Sequence, residues 1–277
     1  MAKQQIRVMA HGGGVQSTAV LVLSAQGRVD FPHHIFCNVG EDSENPETLR
    51  YIHEVSMPYA EAHGIRFTEL RRIKRDGTFE SLYESMTKPG SRQMNIPVRT
   101  GIGGPPGVRV CTGKWKMDPL QKWLREQGCT PEDRAVVGLG FSADEIQRAN
   151  PNKARPLEIS EFPLLDLGLR RSDCLKIVAD EGLPSPSKSA CYFCPLRRPQ
   201  HWAEMRRDHP DLFEKAAALE ERINTGRPGR PTVYLSAHGP LRAIGPAQDT
   251  LFDTAGFGGE PGGDEFENGC DEGRCFV

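Results

Sequence analysis

A short apolar run, a cluster of three glycines and a second apolar run follow one another near the start of the chain. Residues 6–10 read IRVMA, residues 11–14 read HGGG, and a new apolar stretch begins at Thr18. Short apolar runs that end at glycines are typical of buried strands, and such a turn commonly leads into a helix. The pattern predicts a strand, a tight loop over residues 12–17 and a buried helix.

The alternation of strand-like and helix-like segments continues over the first two thirds of the chain. We predict strands at 34–39, 66–70 and 134–140, and helices at 46–63, 118–127 and 172–181. This alternation favours an α/β fold, in which helices flank both faces of a parallel twisted sheet. Residues 87–109 are rich in glycine and proline and contain Arg92, Arg99 and Arg109, so we predict a long mobile loop there.

The composition changes after Pro184, where a cysteine turn and a charged segment begin. A chain of 277 residues fits one large domain with a smaller appendage. We therefore predict an α/β domain over 1–183 and a cysteine-rich helical region over 184–277. That second region contains a charged helix at 199–224 and a flexible, glycine-rich acidic tail from Ala255.

Charge and hydropathy exclude several classes of protein. The net charge of −2 gives no global field that attracts nucleic acid, although the arginines in 197–207 could form a local patch or simply a solvated helix face. No apolar run approaches the roughly 18 residues of a membrane span, and no signal peptide is recognisable. We expect a cytoplasmic protein without membrane contact, which could assemble as a homodimer.

The chain contains 8 cysteines. In the cytosol, this number favours metal or redox chemistry over disulfides.

The glycine-rich loop has the chemistry of a phosphate-binding site. Amide groups at a helix N-terminus lack intrahelical partners and carry partial positive charge, so they attract anions. Glycines let the backbone approach the anion, and hydroxyls add donors. The loop lacks the lysine of a Walker A motif and the glycine spacing of a dinucleotide fingerprint. A plain flexible turn is the alternative. The candidate nucleotide-binding residues here are Gly12, Gly13, Gly14, Gln16, Ser17 and Thr18.

The sequence Gly12–Ser17 resembles the Ser-Gly-Gly-x-Asp-Ser loop of the PP-loop ATP pyrophosphatases, in particular the phosphoadenosine phosphosulfate (PAPS) reductase-like branch. The resemblance implies a Rossmann-like sheet and an adenine nucleotide, ATP or a relative, whose phosphates lie on the loop. Two positions depart from the family, because Gly12 replaces the leading serine and Gln16 replaces the aspartate. In the family, that aspartate helps to organise Mg²⁺ or the pyrophosphate. Its replacement by Gln16 is therefore expected to affect pyrophosphate cleavage more than nucleotide binding.

A second motif, over residues 38–48, follows the predicted second strand. Ligands of open α/β sheets bind at the carboxyl ends of strands, and the carboxylates of Asp42 and Glu44 suit Mg²⁺. The segment resembles the family's Asp-Thr-Gly…Phe-Pro-Glu-Thr stretch beside the adenosine, which adds Gly40 as a nucleotide contact. A well-capped helix start is the alternative reading of Pro46 and Glu47.

A third motif, over residues 138–148, resembles the family's Gly-Ile-Arg-x-x-Glu-Ser-x-x-Arg region, which lines the nucleotide pocket. The resemblance implies that Gly138 and Glu145 line the pocket here. Glu145 and Arg148 are three residues apart and share a helix face, where a surface salt bridge is the alternative. We expect Arg148 to contact an anionic group and, with Asp42, to serve catalysis.

Cys191 and Cys194 form a Cys-x-x-Cys turn, which suits either a metal centre or a redox dithiol. In iron–sulfur members of the family, such a turn and a cysteine matching Cys111 hold a 4Fe–4S cluster. The fourth ligand stays open between Cys270, Cys275 and no protein thiolate. Zinc is the alternative metal. The other cysteines of the first 183 residues are expected to be small buried hydrophobes; they are Cys37, Cys129 and Cys174.

The three motifs together imply an ATP-dependent sulfurtransferase. In this prediction ATP and Mg²⁺ adenylylate an acceptor, a nucleic-acid base or a small metabolite, and sulfur from the cluster then displaces AMP. One alternative is a PAPS or adenylyl-sulfate reductase, an oxidoreductase whose catalytic cysteine would be Cys270 or Cys275. Another is a non-catalytic, nucleotide-binding cluster subunit of a DNA-modification or defence complex.

Overall fold

The computed structural model describes residues 5–91, 93–150 and 155–245. Arg92 and the predicted metal ligands Cys270 and Cys275 lie outside the described residues. The described residues form two compact units. The sheet unit comprises residues 5–85, 109–150 and 155–191, and the helical unit comprises residues 86–91, 93–108 and 192–245. Within these ranges, no helix is both long and apolar enough to cross a bilayer.

The sheet unit is built on five parallel strands, which confirms the predicted α/β fold. The strands of the protein are β1 (Arg7–Ala10), β2 (His33–Asn38), β3 (Arg66–Arg71), β4 (Arg99–Thr100), β5 (Ala135–Leu139), β6 (Glu158–Glu161) and β7 (Val233–Tyr234). The parallel sheet has the order β3-β2-β1-β5-β6, so the chain crosses back over β1 between β3 and β5. The reversal of strand order beside β1 is the place where open α/β sheets bind ligands.

Helices connect the parallel strands, and those predicted at 46–63, 118–127 and 172–181 are present near these bounds. The helices are α1 (Val15–Ala25), α2 (Pro46–Tyr51), α3 (Met57–Ala62), α4 (Leu82–Thr87), α5 (Asp118–Glu126), α6 (Pro163–Asp166), α7 (Arg171–Asp180), α8 (Pro199–Asp208) and α9 (Pro210–Thr225). A π-helical turn, Ile52–Ser56, joins α2 to α3, and another, Thr112–Met117, precedes α5. Ala143–Arg148 and Leu241–Ala243 are 3₁₀ segments.

The prediction of one continuous helix over 199–224 is wrong. α8 ends at Asp208, and His209 has φ −138° and ψ 61°, outside the helical region. Pro210 causes this break, because proline lacks an amide proton and disfavours a helical conformation in the residue before it. α9 then begins at Pro210, where the missing amide proton costs nothing.

Both faces of the parallel sheet are covered by helices, as predicted. Val8 points into a core cluster with α5, whereas its neighbour Met9 points into a second cluster with α1 and α7. Successive side chains of a strand face opposite sides of the sheet, so the two clusters are two separate apolar layers. Because both faces are buried, β1 reads as a continuous apolar run.

The helical unit contains α8, α9 and the antiparallel pair of β4 and β7, with Arg99 opposite Tyr234 and Thr100 opposite Val233. This pairing brings residues 86–108 together with the C-terminal segment, whereas the sequence analysis divided the chain by a single cut after residue 183. The segment predicted to be a loop over 87–109 therefore contributes a strand to the second unit. A two-residue strand is too short to show a period in the sequence.

Candidate functional site

The glycine loop is a tight turn between β1 and α1. Gly13 has φ 78°, a left-handed conformation that glycine adopts at little cost. A Cβ atom at this position would lie 2.8 Å from Cγ2 of Thr48 and 3.3 Å from Cδ1 of Ile52. Both the backbone conformation and the close approach of α2 therefore require glycine at position 13.

The first turn of α1 is left open to an anion. Gly14 is the N-cap, no side chain caps the helix, and its first turn contains no acidic residue. Ser17 Oγ and Thr18 Oγ1 donate hydrogen bonds to the Gly14 carbonyl, at 2.9 and 3.0 Å. Their hydroxyl protons thus stabilise the turn, while the amide groups of the helix start supply the unpaired donors and the positive end of the dipole.

Gln16 links the loop to two other parts of the sheet unit. Its side chain is buried, with a residue exposure of 1%. Nε2 donates to Glu145 Oε2 at 3.1 Å, and Oε1 accepts from Arg171 Nη1 at 3.1 Å. An amide can make both bonds at once because it carries a donor and an acceptor, and the aspartate of the family motif has no donor. The contact with Arg171 was not predicted, although an arginine in the first turn of a helix opposes the dipole and signals another role.

Arg148 is a buried cation, and some of its hydrogen-bond donors have no partner among the described residues. It forms an ion pair with Glu145 in which both side chains are 3% exposed, and its guanidinium lies 4.6 Å from the centre of the Phe141 ring. Nε and Nη2 of Arg148, and Oγ of Ser142, are buried and have no hydrogen-bond partner among the described residues. Buried donors are rarely left unpaired in native proteins, so these groups indicate a missing acceptor. The pair is therefore not the surface salt bridge of the alternative reading.

The segment 140–148 packs directly on the glycine loop. A Cβ atom on Gly140 would lie 3.6 Å from the backbone of both Gln16 and Ser17. Together with the bond between Gln16 and Glu145, this contact places the Arg148 segment beside the start of α1. Gly138 lies within β5 instead, where a Cβ atom would come within 2.6 Å of Cζ of Phe31, so its described contacts are those of sheet packing.

The 38–48 segment forms a compact turn after β2. Gly40 has φ 129° and donates through its amide to Asn38 Oδ1 at 2.7 Å. Asp42 accepts from the hydroxyl groups of Ser43 at 2.8 Å and Ser81 at 2.7 Å. The contacts of Asp42 therefore hold this turn together. Thr48, at the other end of the segment, contacts Gly13 and has a buried hydroxyl without a hydrogen-bond partner among the described residues.

The predicted metal ligands are distributed over different parts of the chain. Cys111 and Cys191 belong to the sheet unit, where Cys191 forms a backbone bridge with Glu44, which is 2% exposed. Cys194 belongs to the helical unit, and its carbonyl accepts from the Arg197 amide at 3.1 Å. Within the described ranges, no group of three or more His, Cys, Asp or Glu side chains is placed to hold a metal ion. The described residues thus do not form the predicted centre, and the cluster stays a prediction.

Two other cysteines have the character of buried hydrophobes. Burial raises the pKa of the Cys37 thiol to about 12, and the thiol donates to the Lys116 carbonyl at 3.3 Å. Burial likewise raises the pKa of Cys174 to about 12. Thiols that stay protonated are poor nucleophiles and poor metal ligands.

Two buried histidines flank the loop without adding charge to it. Nδ1 of His11 lies 3.2 Å from Nδ1 of His34, and both rings contact Phe67. Burial lowers the pKa of His11 to about 3, and it lowers the pKa of His34 well below the ordinary value. Both imidazoles are neutral at pH 7, so the positive field at the loop comes from the arginines and the α1 amides.

Comparisons with known proteins give distant structural similarities. No model of a known protein family matches the chain, and no curated protein matches it. Its fold is similar to that of the U34-tRNA thiolase NcsA from Methanococcus maripaludis, solved with its 4Fe–4S cluster. The sequence identity is 14%, the TM-score is 0.44, and the match covers 90% of this chain and 85% of that chain. A similarity this distant concerns the fold alone and gives no information about the reaction or the ligands of this chain.

Proposed function

We propose that the protein is an adenine-nucleotide-binding enzyme in which the Gly12–Ser17 loop holds the phosphates. One observation supports this most strongly. Thr48, Ser142 and Arg148 carry buried donors without a partner among the described residues. Thr48 lies against Gly13, and the segment 140–148 packs on the start of α1, which no side chain caps. Such a set of groups is complementary to an oxyanion. The choice of adenine rests on the resemblance of the three sequence motifs.

The reaction that suits this site is adenylyl transfer. An oxygen of the acceptor attacks the α-phosphorus of ATP and loses its proton to water. A new P–O bond forms while the bond from the α-phosphorus to the bridging oxygen breaks, and pyrophosphate leaves with that electron pair. The α1 amides and Arg148 stabilise the charge that develops on the phosphates, and the rigid loop fixes their position. Asp42 remains the second catalytic residue that we propose, from the motif.

Sulfur transfer to the activated acceptor is the second half of the proposal, and it rests on the family resemblance. A 4Fe–4S cluster, when bound, would supply the sulfur chemistry, with Cys111, Cys191 and Cys194 as ligands and Cys270 or Cys275 as a fourth. The described residues do not form this centre, so the steps that they support end at the adenylylated acceptor. The acceptor class is a nucleic-acid base or a small metabolite.

Nucleotide titration followed by a product assay tests the nucleotide half. We expect ATP to bind more tightly than GTP, and pyrophosphate to appear when total tRNA, duplex DNA or a metabolite extract is added. The proposal would be contradicted if the protein did not bind ATP, or if it released AMP only in mixtures without an acceptor. Arg28→Lys provides a matched control for substitutions at Arg148, because Arg28 is an exposed arginine of the same unit.

Metal analysis of anaerobically purified protein tests the sulfur half. We expect about four irons and about four sulfides per chain, with broad absorption near ~400 nm. Cys191→Ala should lose the iron, whereas the buried Cys129→Ala should retain it. About one zinc per chain and no iron would rule out a cluster as sulfur carrier and leave a structural metal. A metal-free, active dithiol would favour the reductase alternative.

A further inference from the structure

We infer that arginines, rather than a magnesium ion held by a carboxylate at the loop, neutralise the nucleotide phosphates in this protein. The nucleotide affinity is then nearly independent of Mg²⁺. This inference rests on the proposed function, because it concerns the same phosphate site. It departs from the expectation, drawn from the sequence, that Mg²⁺ positions the phosphates.

The charge at the loop has been shifted towards positive by the residue at position 16. The hydrogen-bonded side chains around it include one carboxylate, Glu145, and two guanidinium groups, Arg148 and Arg171. A second carboxylate, Asp144, accepts from the Arg171 amide. With the neutral Gln16 among them, these four ionised groups carry a net charge of about zero. An aspartate at position 16 would bring this sum to about −1 and would disfavour a phosphate unless a cation were bound.

The carboxylate that is hydrogen-bonded to the glycine loop is already engaged. Glu145 accepts from the Gln16 amide through Oε2 and pairs with Arg148 through Oε1. Gln16 in turn has its oxygen occupied by Arg171. Asp42, which the sequence analysis predicted as a Mg²⁺ ligand, accepts a hydroxyl hydrogen bond at each carboxylate oxygen. Mg²⁺ in nucleotide sites requires one or two carboxylates in near-ideal octahedral geometry, together with phosphate oxygens and water. These engaged carboxylates are poorly suited to that requirement, whereas the Arg148 donors suit a phosphate directly.

The donors that Arg148 leaves unpaired have the geometry to replace the metal. Nε and Nη2 are on one edge of the guanidinium plane, which is the edge that binds a phosphate or carboxylate through two parallel hydrogen bonds. The ring of Phe141 under the guanidinium fixes its plane. Since the group is 3% exposed, its interaction with a phosphate would be screened little by water or salt.

The experiment is a titration of ATP into the full-length protein in EDTA and in excess Mg²⁺, with the apparent Kd as the readout. For the wild-type chain we expect the two Kd values to agree within about threefold. For Gln16→Asp we expect the Kd in EDTA to rise by about tenfold and Mg²⁺ to restore most of the loss. Gln16→Asn is the matched control, because it has the same size as the aspartate and the same charge as the native residue. Its shorter amide loses reach to Glu145 and Arg171, so its Kd should rise by the same factor in EDTA and in Mg²⁺, without the rescue by Mg²⁺ that is expected for Gln16→Asp.

Two results separate this inference from the function on which it rests. A wild-type chain that binds ATP only with Mg²⁺ overturns the inference and leaves the proposed function intact. A chain that binds ATP in neither buffer contradicts the proposed function itself. Equal behaviour of Gln16→Asp and Gln16→Asn would show that charge at this position is irrelevant, which also overturns the inference. The wild-type titrations need no variant, so the test stands even if a substitution prevents folding.

Discussion

Two buried charged groups, one in each unit, are satisfied in different ways. Glu220 of the helical unit accepts from the Leu235 amide at 2.7 Å and from the Leu241 amide at 2.9 Å, one bond to each carboxylate oxygen. Arg148 of the sheet unit pairs with Glu145 but keeps two buried donors without a partner among the described residues. The first group has partners for both of its oxygens within the protein, whereas the second keeps donors that an oxyanion could use.

The difference separates a structural role from a binding role. Burial raises the pKa of Glu220, and the two amide donors offset only part of that rise, so the chain itself supplies the partners that make burial of this carboxylate tolerable. Leaving the donors of Arg148 unpaired costs the fold free energy, which a bound oxyanion would recover. We therefore predict that changes at Glu220 affect folding and that changes at Arg148 affect binding.

The largest expected effect is the loss of nucleotide affinity in Arg148→Lys. Lysine keeps a positive charge beside Glu145, but it lacks the pair of parallel donors that Nε and Nη2 provide on one edge of the guanidinium group. We expect the Kd for ATP to rise about 100-fold, which corresponds to about 2.7 kcal/mol. The free energy of unfolding without ATP should change by less than about 1 kcal/mol, since the lost donors had no partner in the free protein. A calorimetric titration together with urea unfolding would refute this if stability fell and affinity did not.

Glu220→Gln should show the opposite behaviour. The amide leaves one of the two backbone N–H groups facing another donor, so we expect the free energy of unfolding to fall by about 2 kcal/mol. The Kd for ATP should not change. Glu221→Gln is the neighbouring control, because its ion pair with Arg242 is exposed to solvent and should contribute little to stability. Equal destabilisation by both variants would remove the special role of Glu220.

A comparison of Gly13→Ala with Gly27→Ala tests whether the glycine loop has room for a side chain. Both glycines have positive φ, 78° and 66°, so both substitutions carry a backbone penalty of about 1 kcal/mol. A Cβ atom at Gly27 meets nothing within 4 Å, whereas at Gly13 it would crowd Thr48. Chemical unfolding should therefore show about 1 kcal/mol more destabilisation for Gly13→Ala. Only this variant should also weaken ATP binding, and indistinguishable variants would mean that the loop tolerates a side chain.

The smallest expected effect is on the pH dependence of stability, and it tests whether His11 is neutral beside the loop. The unfolded chain takes up a proton near pH 6.5, but the folded chain does so only near pH 3. The unfolded state thus binds more protons between these values, and stability falls as the pH falls. Between pH 7 and pH 5.5 we expect a loss on the order of 1 kcal/mol from this residue.

Urea unfolding at these two pH values is the measurement, with His11→Phe and His63→Gln compared. His11→Phe should lose less stability on acidification than the wild type. His63→Gln is the comparison substitution at an exposed histidine of the same unit. A wild-type stability that rises towards pH 5.5 would indicate that His11 gains a partner on protonation.

The local features of the fold could be predicted from the sequence, because they depend on neighbouring residues. The alternation around residues 6–25 indicated β1, the loop and α1, and the parallel sheet followed from its repetition. The break at Pro210 is also a local feature, and the prediction of one helix over 199–224 was wrong because it did not take that proline into account. The division into units could not be predicted, because it depends on pairing of Arg99 with Tyr234, which are far apart in the chain.

The candidate site was predictable in part for the same reason. The motif residues Gln16, Glu145 and Arg148 could be selected from the sequence, and the structure brings these three together. Their connection to Arg171 spans 155 residues and leaves no periodic signal. The unpaired state of the Arg148 donors also depends on tertiary burial, which a motif does not encode.

Hydrogen exchange with and without ATP tests the central claim most directly, because it locates the bound phosphates. We predict that ATP slows exchange in peptides covering 12–18 and 140–148, where amides of the α1 start and the Arg148 segment become hydrogen-bonded or shielded. Peptides covering 233–241, next to Glu220, should exchange at the same rate in both conditions. Protection by ATP at other peptides, with the loop unchanged, would contradict a phosphate site on the glycine loop.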